Sequence, residues 1–453
     1  MDTLPDELVI KIFHYLDKRD LCQCSRVNRK WNILTYTDSL WLKFSLNDLT
    51  KPKWCSSRIL DIADTNYLIE NRFSSNITRV DLAKMCFSFD TLDTLFQHCR
   101  HIRSLVINFK YLQIKAPNKY LVDQCIHSWP INKLEKLYLK NVCDMKAKRF
   151  TNKSLSSTST SHHSHLMPYD IIEMEIIKLI RTLFERNSLS LRSLGLKCVD
   201  PNIISSCVND FGNLDVLLLN NVNDTDSVLQ ELAFVCKNLK CLELNKCREF
   251  QGDGLQDIID QCPNLETLQL GKQIFPTLTE FNEINWSNLK YKLKELSITT
   301  KFPSVEERGR SSTFMSSSSS SSSPPLNPSE VYSNTLFNYL NDCNQLEYLA
   351  LADFTVKFPN DSHRSHENNE ASEENVCSTK AKNNTKTESL NINGLKYLYL
   401  RNIRNVKHLS NYQSTNLKTF LETQHNLHTL DLTGLYLNSS FICSILVFLN
   451  NLR

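Results

Sequence analysis

The feature that most limits what this chain can fold into is a spaced pattern of aliphatic residues, L-x-x-L-x-L with aliphatic substitutes, recurring along most of its length. It reads Ile77-Val80-Leu82, Ile102-Leu105-Ile107, Leu134-Leu137-Leu139, Leu191-Leu194-Leu196, Leu214-Leu217-Leu219 and Leu239-Leu242-Leu244. It continues as Leu265-Leu268-Leu270, Leu293-Leu296-Ile298, Leu346-Leu349-Leu351, Leu395-Leu398-Leu400 and Leu427-Leu430-Leu432. First positions fall 25 residues apart from Ile77 to Ile102, 23 from Leu191 to Leu214, 25 to Leu239, 26 to Leu265 and 28 to Leu293. Longer gaps of 57 residues after Leu134, 53 after Leu293 and 49 after Leu346 hold an insertion, a degenerate copy, or both. Alternate residues of a strand point to opposite sides, so the last two aliphatic positions of each copy face one way. One copy cannot bury them alone, but stacked copies bury them in a continuous core. Each such side chain contributes roughly 1.5–3 kcal/mol before ordering costs are deducted.

Between the strands the apolar residues take helical spacing. Leu92, Leu95, Phe96 and Cys99 form one face, Leu229, Leu232, Ala233 and Cys236 a second, and Leu255, Ile258, Ile259 and Cys262 a third. The unit is therefore strand, turn, helix, with a period in the leucine-rich-repeat range. The expected fold class is α/β: a horseshoe solenoid with parallel strands on the concave face and helices on the convex face. The cysteines fall in register. Cys86, Cys143 and Cys247 follow strands, while Cys99, Cys236 and Cys262 close helices. Residues 239–265, LKCLELNKCREFQGDGLQDIIDQCPNL, resemble the cysteine-containing subclass of leucine-rich repeat. Their thiols are read as small buried apolar groups rather than ligands or nucleophiles.

Composition excludes several classes of function. With 453 residues the chain needs two domains or a repeat array. A net charge of +3 lacks the basic excess of a dedicated nucleic-acid binder. Only 8 glycines are present, too few and too scattered for a loop that cradles phosphate. The 16 cysteines include no C-x-x-C pair, and no H-E-x-x-H, G-x-S-x-G or Cys–His constellation stands out. No catalytic residue, metal ligand or cofactor is expected. Nothing ahead of Pro5 reads as a secretory leader. The longest apolar run, residues 441–449, falls far short of the roughly 20 residues that span a bilayer. The expected location is cytoplasm, nucleus or both, with no membrane partner.

Three inserts have the composition of disordered segments: residues 146–168, 303–329 with its serine run, and 359–389. His162, His163 and His165 in the first lack acidic or cysteine partners and are not read as a metal site. The last residues, Asn450-Asn451-Leu452-Arg453, read like the opening of another repeat, so they either cap the array or mark the chain as a fragment.

Residues 4–41 do not follow the repeat. Pro5 suits a first helical turn, with Asp6 and Glu7 favourable at the positive end of the helix dipole. Leu8, Ile12, Phe13 and Leu16 share one helical spacing. Asp20 is the expected cap of a second helix carrying Leu21, Cys24 and Val27, and Trp31 and Leu34 mark a third. The string LPDELVIKIFHYLDKRDLCQCSRVNRKWNILTYTDSLW resembles the F-box, through Leu4-Pro5, Glu7-Leu8, Ile12-Phe13, Leu16, Asp20-Leu21, Val27, Trp31 and Leu40-Trp41. With the repeats behind it, the chain resembles the F-box and leucine-rich-repeat proteins. The resemblance implies a small all-α module at residues 1–48, a linker or cap at 49–76, and repeats at 77–453. It implies a substrate receptor without a catalytic site of its own. The F-box would bind a Skp-family adaptor and, through it, a cullin–RING ubiquitin ligase, while the repeats hold a target protein. An interaction scaffold that acts without ubiquitination is the alternative. Carried onto this chain, the adaptor-facing residues are Leu4, Pro5, Leu8, Ile12, Leu21, Val27 and Trp31.

The target would meet the strand residues that alternate with the leucines. These include Glu243, Asn245, Gln269, Ser297, Thr299 and Asp431. Two groups rich in hot-spot residue types are the target-binding candidates: Lys136, Tyr138 and Lys140, and Tyr397, Tyr399 and Arg401. Their tyrosines and cations suit an acidic or phosphorylated segment.

Overall fold

The computed structural model describes residues 4–45, 59–73, 75–113, 128–142, 169–273, 284–300, 339–352, 392, 394–402, 411–435, 437, 439–447, 449 and 452. The bulk of the three low-complexity inserts, the His162–His163–His165 group, Cys143 and most of the last four residues lie outside them. The chain divides into two compact units, Met1–Leu239 and Lys240–Arg453.

The first unit opens with three short helices, α1 (Asp6–Phe13), α2 (Lys18–Cys24) and α3 (Arg29–Leu34). Each start is fixed locally. Amides of Leu8 and Val9 donate to the Pro5 carbonyl. The Asp17 carboxylate accepts the Asp20 N–H at 2.7 Å, and the Asn28 side chain accepts the Trp31 N–H at 2.7 Å. The second cap is therefore Asp17; Asp20 supplies the amide that it receives. Val9, Phe13, Leu21 and Leu34 fill the space between the helices, with the Trp31 ring edge-on to Phe13 at 5.4 Å. A short 3-10 turn, Asp38–Trp41, buries Leu40 and Trp41, and the Trp41 indole N–H donates to the Thr35 carbonyl at 2.7 Å.

The chain then enters a sheet directly. Strand β1 (Lys43–Ser45) pairs in parallel with β2 (Arg79–Asp81), Phe44 beside Val80. Between them lies α4 (Ile62–Asn71), whose end presses Phe73 onto Phe44 at 4.8 Å and lays Arg72 over the Tyr36 ring at 3.9 Å. The helical module is thus joined to the array through a strand pair and an aromatic stack.

Parallel strands follow in chain order: β3 (Ser104–Asn108), β4 (Lys136–Lys140), β5 (Ser193–Lys197) and β6 (Val216–Asn220) in the first unit. The second unit holds β7 (Cys241–Asn245), β8 (Thr267–Gln273), β9 (Glu295–Thr300), β10 (Tyr348–Ala352), β11 (Tyr397–Arg401) and β12 (Thr429–Asp431). Each of the eleven sequence repeats supplies one strand from β2 to β12. Their leucine positions are buried throughout, except Leu430 and Leu432 around β12, which are only half-covered.

The helices that follow β2 are α5 (Phe89–His98), α6 (Tyr169–Asn187), α7 (Pro201–Ser205), α8 (Thr225–Val235), α9 (Asp253–Gln261), α10 (Asn411–Glu422) and α11 (Ser439–Leu446). Three of them, α5, α8 and α9, fall where the 3.6-residue spacing places them. Cys99, Cys236 and Cys262 stand just past α5, α8 and α9, fully buried. Each returns its amide to the carbonyl four residues back, at 2.8 to 2.9 Å. Among the described residues, no helix is long and apolar enough to cross a membrane.

A second periodic device turns the chain after a strand. Asn141, Cys198, Asn221, Lys246 and Asn402 all take φ between 51° and 57°, each one position past its strand. Asparagine tolerates this left-handed conformation better than most side chains, which accounts for three of the five. The amides of Asn141 and Cys198 then donate to carbonyls at the end of the next strand, at 2.7 and 2.9 Å.

The amino-terminal module and the exposed strand faces

On α1 the apolar residues split between two faces. Val9 and Phe13 point inward, while Leu8 and Ile12, one turn apart, are each 44% exposed. This corrects the grouping of Leu8 and Ile12 with Phe13: the core row is Val9 and Phe13, and Leu8 and Ile12 lie outside it. Val27, between α2 and α3, is 61% exposed. Leu21 is 1% exposed, so it packs among the helices and offers no outward surface. Leu4 is half-buried and Pro5 exposed. The Leu4 carbonyl accepts a hydrogen bond from Lys30 Nζ at 3.0 Å, and the same ammonium pairs with Asp6 at 2.9 Å, so the start of the module is tied to α3. Trp31 is half-buried, and its indole N–H is covered without a hydrogen-bond acceptor. A covered donor without an acceptor is costly and rare. Sequence reasoning missed the exposure of Tyr15 and Ile33, because neither belongs to a landmark of the resemblance.

In the first unit, Lys136, Tyr138 and Lys140 occupy the strand face opposite the buried Leu137 and Leu139. The Tyr138 ring lies against Gly195 on β5: a Cβ there would stand 1.7 Å from the ring. Lys140 Nζ sits over the same ring, 4.7 Å from its centre. Burial holds the Lys140 ammonium below its ordinary range; Asp81 opposes that shift, and Lys197 and Lys84 add to it. Four basic residues that the motif search passed over therefore share or flank this face: Lys43, Arg79, Lys84 and Lys197.

In the second unit, Tyr397, Tyr399 and Arg401 lie on β11 beside Tyr348 of β10. Tyr348 stands 5.2 Å from Tyr399 and 6.2 Å from Tyr397, ring centre to ring centre. Strand alternation one repeat earlier was the signal that could have found it. Arg401 lies over Tyr399 at 5.5 Å and donates from Nε to Asp431 at 2.7 Å. Burial acts to raise the Asp431 carboxyl, but hydrogen bonds from Thr433 and the bonds and charge of Arg401 outweigh it, and the carboxyl is held below its usual range. The Arg401 charge is thus met within the chain, and this cluster is an aromatic surface more than a cationic one.

One more feature lies along the edge of the strands. From β3 to β11 the residue before the strand alternates in charge: Arg103, Glu135, Arg192 and Asp215 in the first unit, then Lys240, Glu266, Lys294, Glu347 and Lys396 in the second. Ion pairs join Arg103 to Glu135 at 2.9 Å, Lys294 to Glu266 at 2.9 Å and Lys396 to Glu347 at 2.7 Å. In the first unit the row borders a shallow depression of about 350 Å³ lined by Arg103, Lys133, Glu135, Ser190 and Arg192. Among the described residues, no three of His, Cys, Asp or Glu gather as a metal would require. Burial pushes the Cys99 thiol up to about 12 and the Cys241 and Cys343 thiols up to about 11, which leaves them protonated and poorly nucleophilic.

Comparison with known proteins matches residues 1–47 to the F-box-like family. A stretch of 39 residues is 55% identical to F-box/LRR-repeat protein 5 of Xenopus tropicalis, covering 9% of this chain and 6% of the frog protein. F-box protein SKIP1 of Arabidopsis thaliana is 28% identical over 98 residues, 21% of this chain and 33% of that protein. The chain therefore spans only a small part of the curated relatives it matches. A solved structure, that of Rad7 and Elc1 in complex in yeast, aligns over 78% of this chain and 83% of the other, at 15% identity and a TM-score of 0.30. Residues 1–47 are thus an F-box-like domain, and the chain joins that domain to an array of parallel strands, β2 to β12 coming one from each leucine-patterned repeat.

Proposed function

We propose that this chain is a non-catalytic substrate receptor of a Skp–cullin–F-box ubiquitin ligase. The F-box-like domain would bind the Skp-family adaptor, and the repeats would hold the target for ubiquitination. The observation that carries this reading is the match of residues 1–47 to the F-box-like family, on a module whose interior is already filled. Leu8, Ile12 and Val27 remain outside that interior, as apolar surface on a domain too small to afford it without a partner. Leu4, Pro5 and Trp31 complete the proposed contact; Leu21 supports it from inside the module.

The test is capture of the Skp adaptor by the full chain and by the double variant Leu8→Glu, Ile12→Glu. Both positions are 44% exposed, so the fold should survive the change. Adaptor capture should fall at least tenfold. Equal capture by both forms would remove this surface, and no capture by either would remove the ligase reading itself. Target half-life with and without the chain then separates a receptor from a scaffold.

A further inference from the structure

Among its described residues, the strand face of the first unit carries more cations than carboxylates. Register sets its residues in rows. The first row runs Lys43, Arg79, Ser104, Lys136, Ser193 across β1 to β5. The last runs Asn108, Lys140, Lys197 across β3 to β5, with Lys84 close enough to act on the Lys140 charge. Between them lies the row Ser45, Asp81, Val106, Tyr138, Gly195 and Leu218, polar on β1 and β2 and mostly apolar from β3 to β6. Among the described residues of these rows, Lys43, Arg79, Lys136, Lys140 and Lys197 share the face with one carboxylate, Asp81, while Lys84 and Asp200 stand just past β2 and β5. The Asp81 carboxylate is also engaged by the Ser45 hydroxyl at 3.1 Å and the Ala83 amide at 2.8 Å. The strand face of the second unit is different: Glu243, Glu295 and Asp431 stand there with Arg401.

From this geometry we infer that the strand face of the first unit is the docking surface for an acidic, amphipathic segment of the target protein. The inference deepens the receptor reading and rests on it for the word target. The two basic rows are four residues apart along a strand, about 13 Å, with the apolar row midway. A helix about 10–12 Å across fits between them, its apolar stripe over Tyr138 and Leu218 and its carboxylates reaching both rows. A protein segment suits the face better than a nucleic acid. Among its described residues the face has one aromatic ring, Tyr138, already held between Gly195 and Lys140, and so lacks a row of rings on which successive bases could stack.

The probe is a labelled 20-residue peptide of Glu, Ala and Leu with leucines on one helical stripe, titrated into the full chain. Controls are the same peptide with Lys for Glu, and a single-stranded oligothymidine. The Glu peptide should bind at least tenfold more tightly than either control, and its affinity should fall as salt rises. Lys136→Glu with Lys197→Glu should cost at least tenfold, while Lys290→Glu in the second unit should leave affinity unchanged. Lys43→Glu with Arg79→Glu, at two exposed positions, repeats the test without touching the packing at Tyr138. Equal binding of the two peptides, tighter binding of the oligonucleotide, or indifference to both face variants would each overturn the proposal. Adaptor capture is read separately, so failure there leaves the peptide result standing.

Discussion

At the scale of single residues, what a side chain contributes here depends on which of two faces it takes. Gly195 shows this at the proposed docking surface. Its missing Cβ makes room for the Tyr138 ring, so Gly195→Ala should displace the ring and cost about 1–3 kcal/mol as overpacking. A thermal melt and the peptide titration together would register both effects; an unchanged affinity would detach Tyr138 from the surface. The helix caps allow a sharper contrast. Asp17→Ala should cost about 1 kcal/mol by orphaning the Asp20 amide, whereas Asp20→Ala should cost only a few tenths. Urea midpoints that rank the two in the opposite order would return the cap to Asp20. Cys99 ties stability to pH. Its folded-state value of about 12 lies above the ordinary 9.0, so its contribution is complete below pH 9 and is lost as pH climbs from 9 towards 12. At pH 8, iodoacetamide should modify exposed Cys443 in the folded chain and leave Cys99, Cys236 and Cys262 untouched until denaturant is added.

At the scale of elements, the strands were the most legible part of the sequence. A buried residue at every second position, repeated at a near-constant period, leaves few alternatives to a stacked parallel sheet, and β2 to β12 all lie where the leucines put them. Strand β1 was not legible. Lys43–Ser45 is three residues long with one inward residue, Phe44, and so has no period to detect. Face assignment on α1 failed for a related reason. Leu8, Val9, Ile12 and Phe13 are all apolar, and in a helix of 8 residues the pattern cannot say which pair turns inward; packing against Trp31 decides it. The alternating charges before the strands were visible in the sequence but invisible to a search for apolar periodicity. Surface ion pairs are individually weak, about 0–1 kcal/mol. Alternation links them along the row. Glu266→Lys would set three cations side by side, the new ammonium between Lys240 and Lys294. It should lower stability by about 1 kcal/mol at low salt, and less at high salt where screening is strong. Equal losses at both salt concentrations would point to packing rather than charge.

At the scale of the whole molecule, the amino-terminal domain is built into the array. Trp41, Phe44 and Phe73 form one aromatic stack, and β1 covers the edge of β2. Removing residues 1–48 to test adaptor binding would therefore uncover Val80 and Phe73 and leave an open strand edge. The truncated chain should be less soluble and melt lower than the full chain, in contrast to Leu8→Glu, Ile12→Glu; size-exclusion chromatography and a melt would show whether it does. The proposed docking surface was the least legible feature at any scale, because it is set by register between strands from distant parts of the sequence. Lys43 and Lys136 are 93 positions apart in the chain and share one row.

The β1–β2 pairing has a mechanical meaning as well. A receptor hinged between its two grips would let a bound cargo sweep through a volume, and the ligase would wait for each surface lysine to drift past. Here the F-box-like domain and the first strands form one piece, joined by the stacked Trp41 and Phe44 rings and by the β1–β2 pairing. Cargo seated on that piece would be presented at a set bearing, so which of its lysines is reached would be decided when it docks.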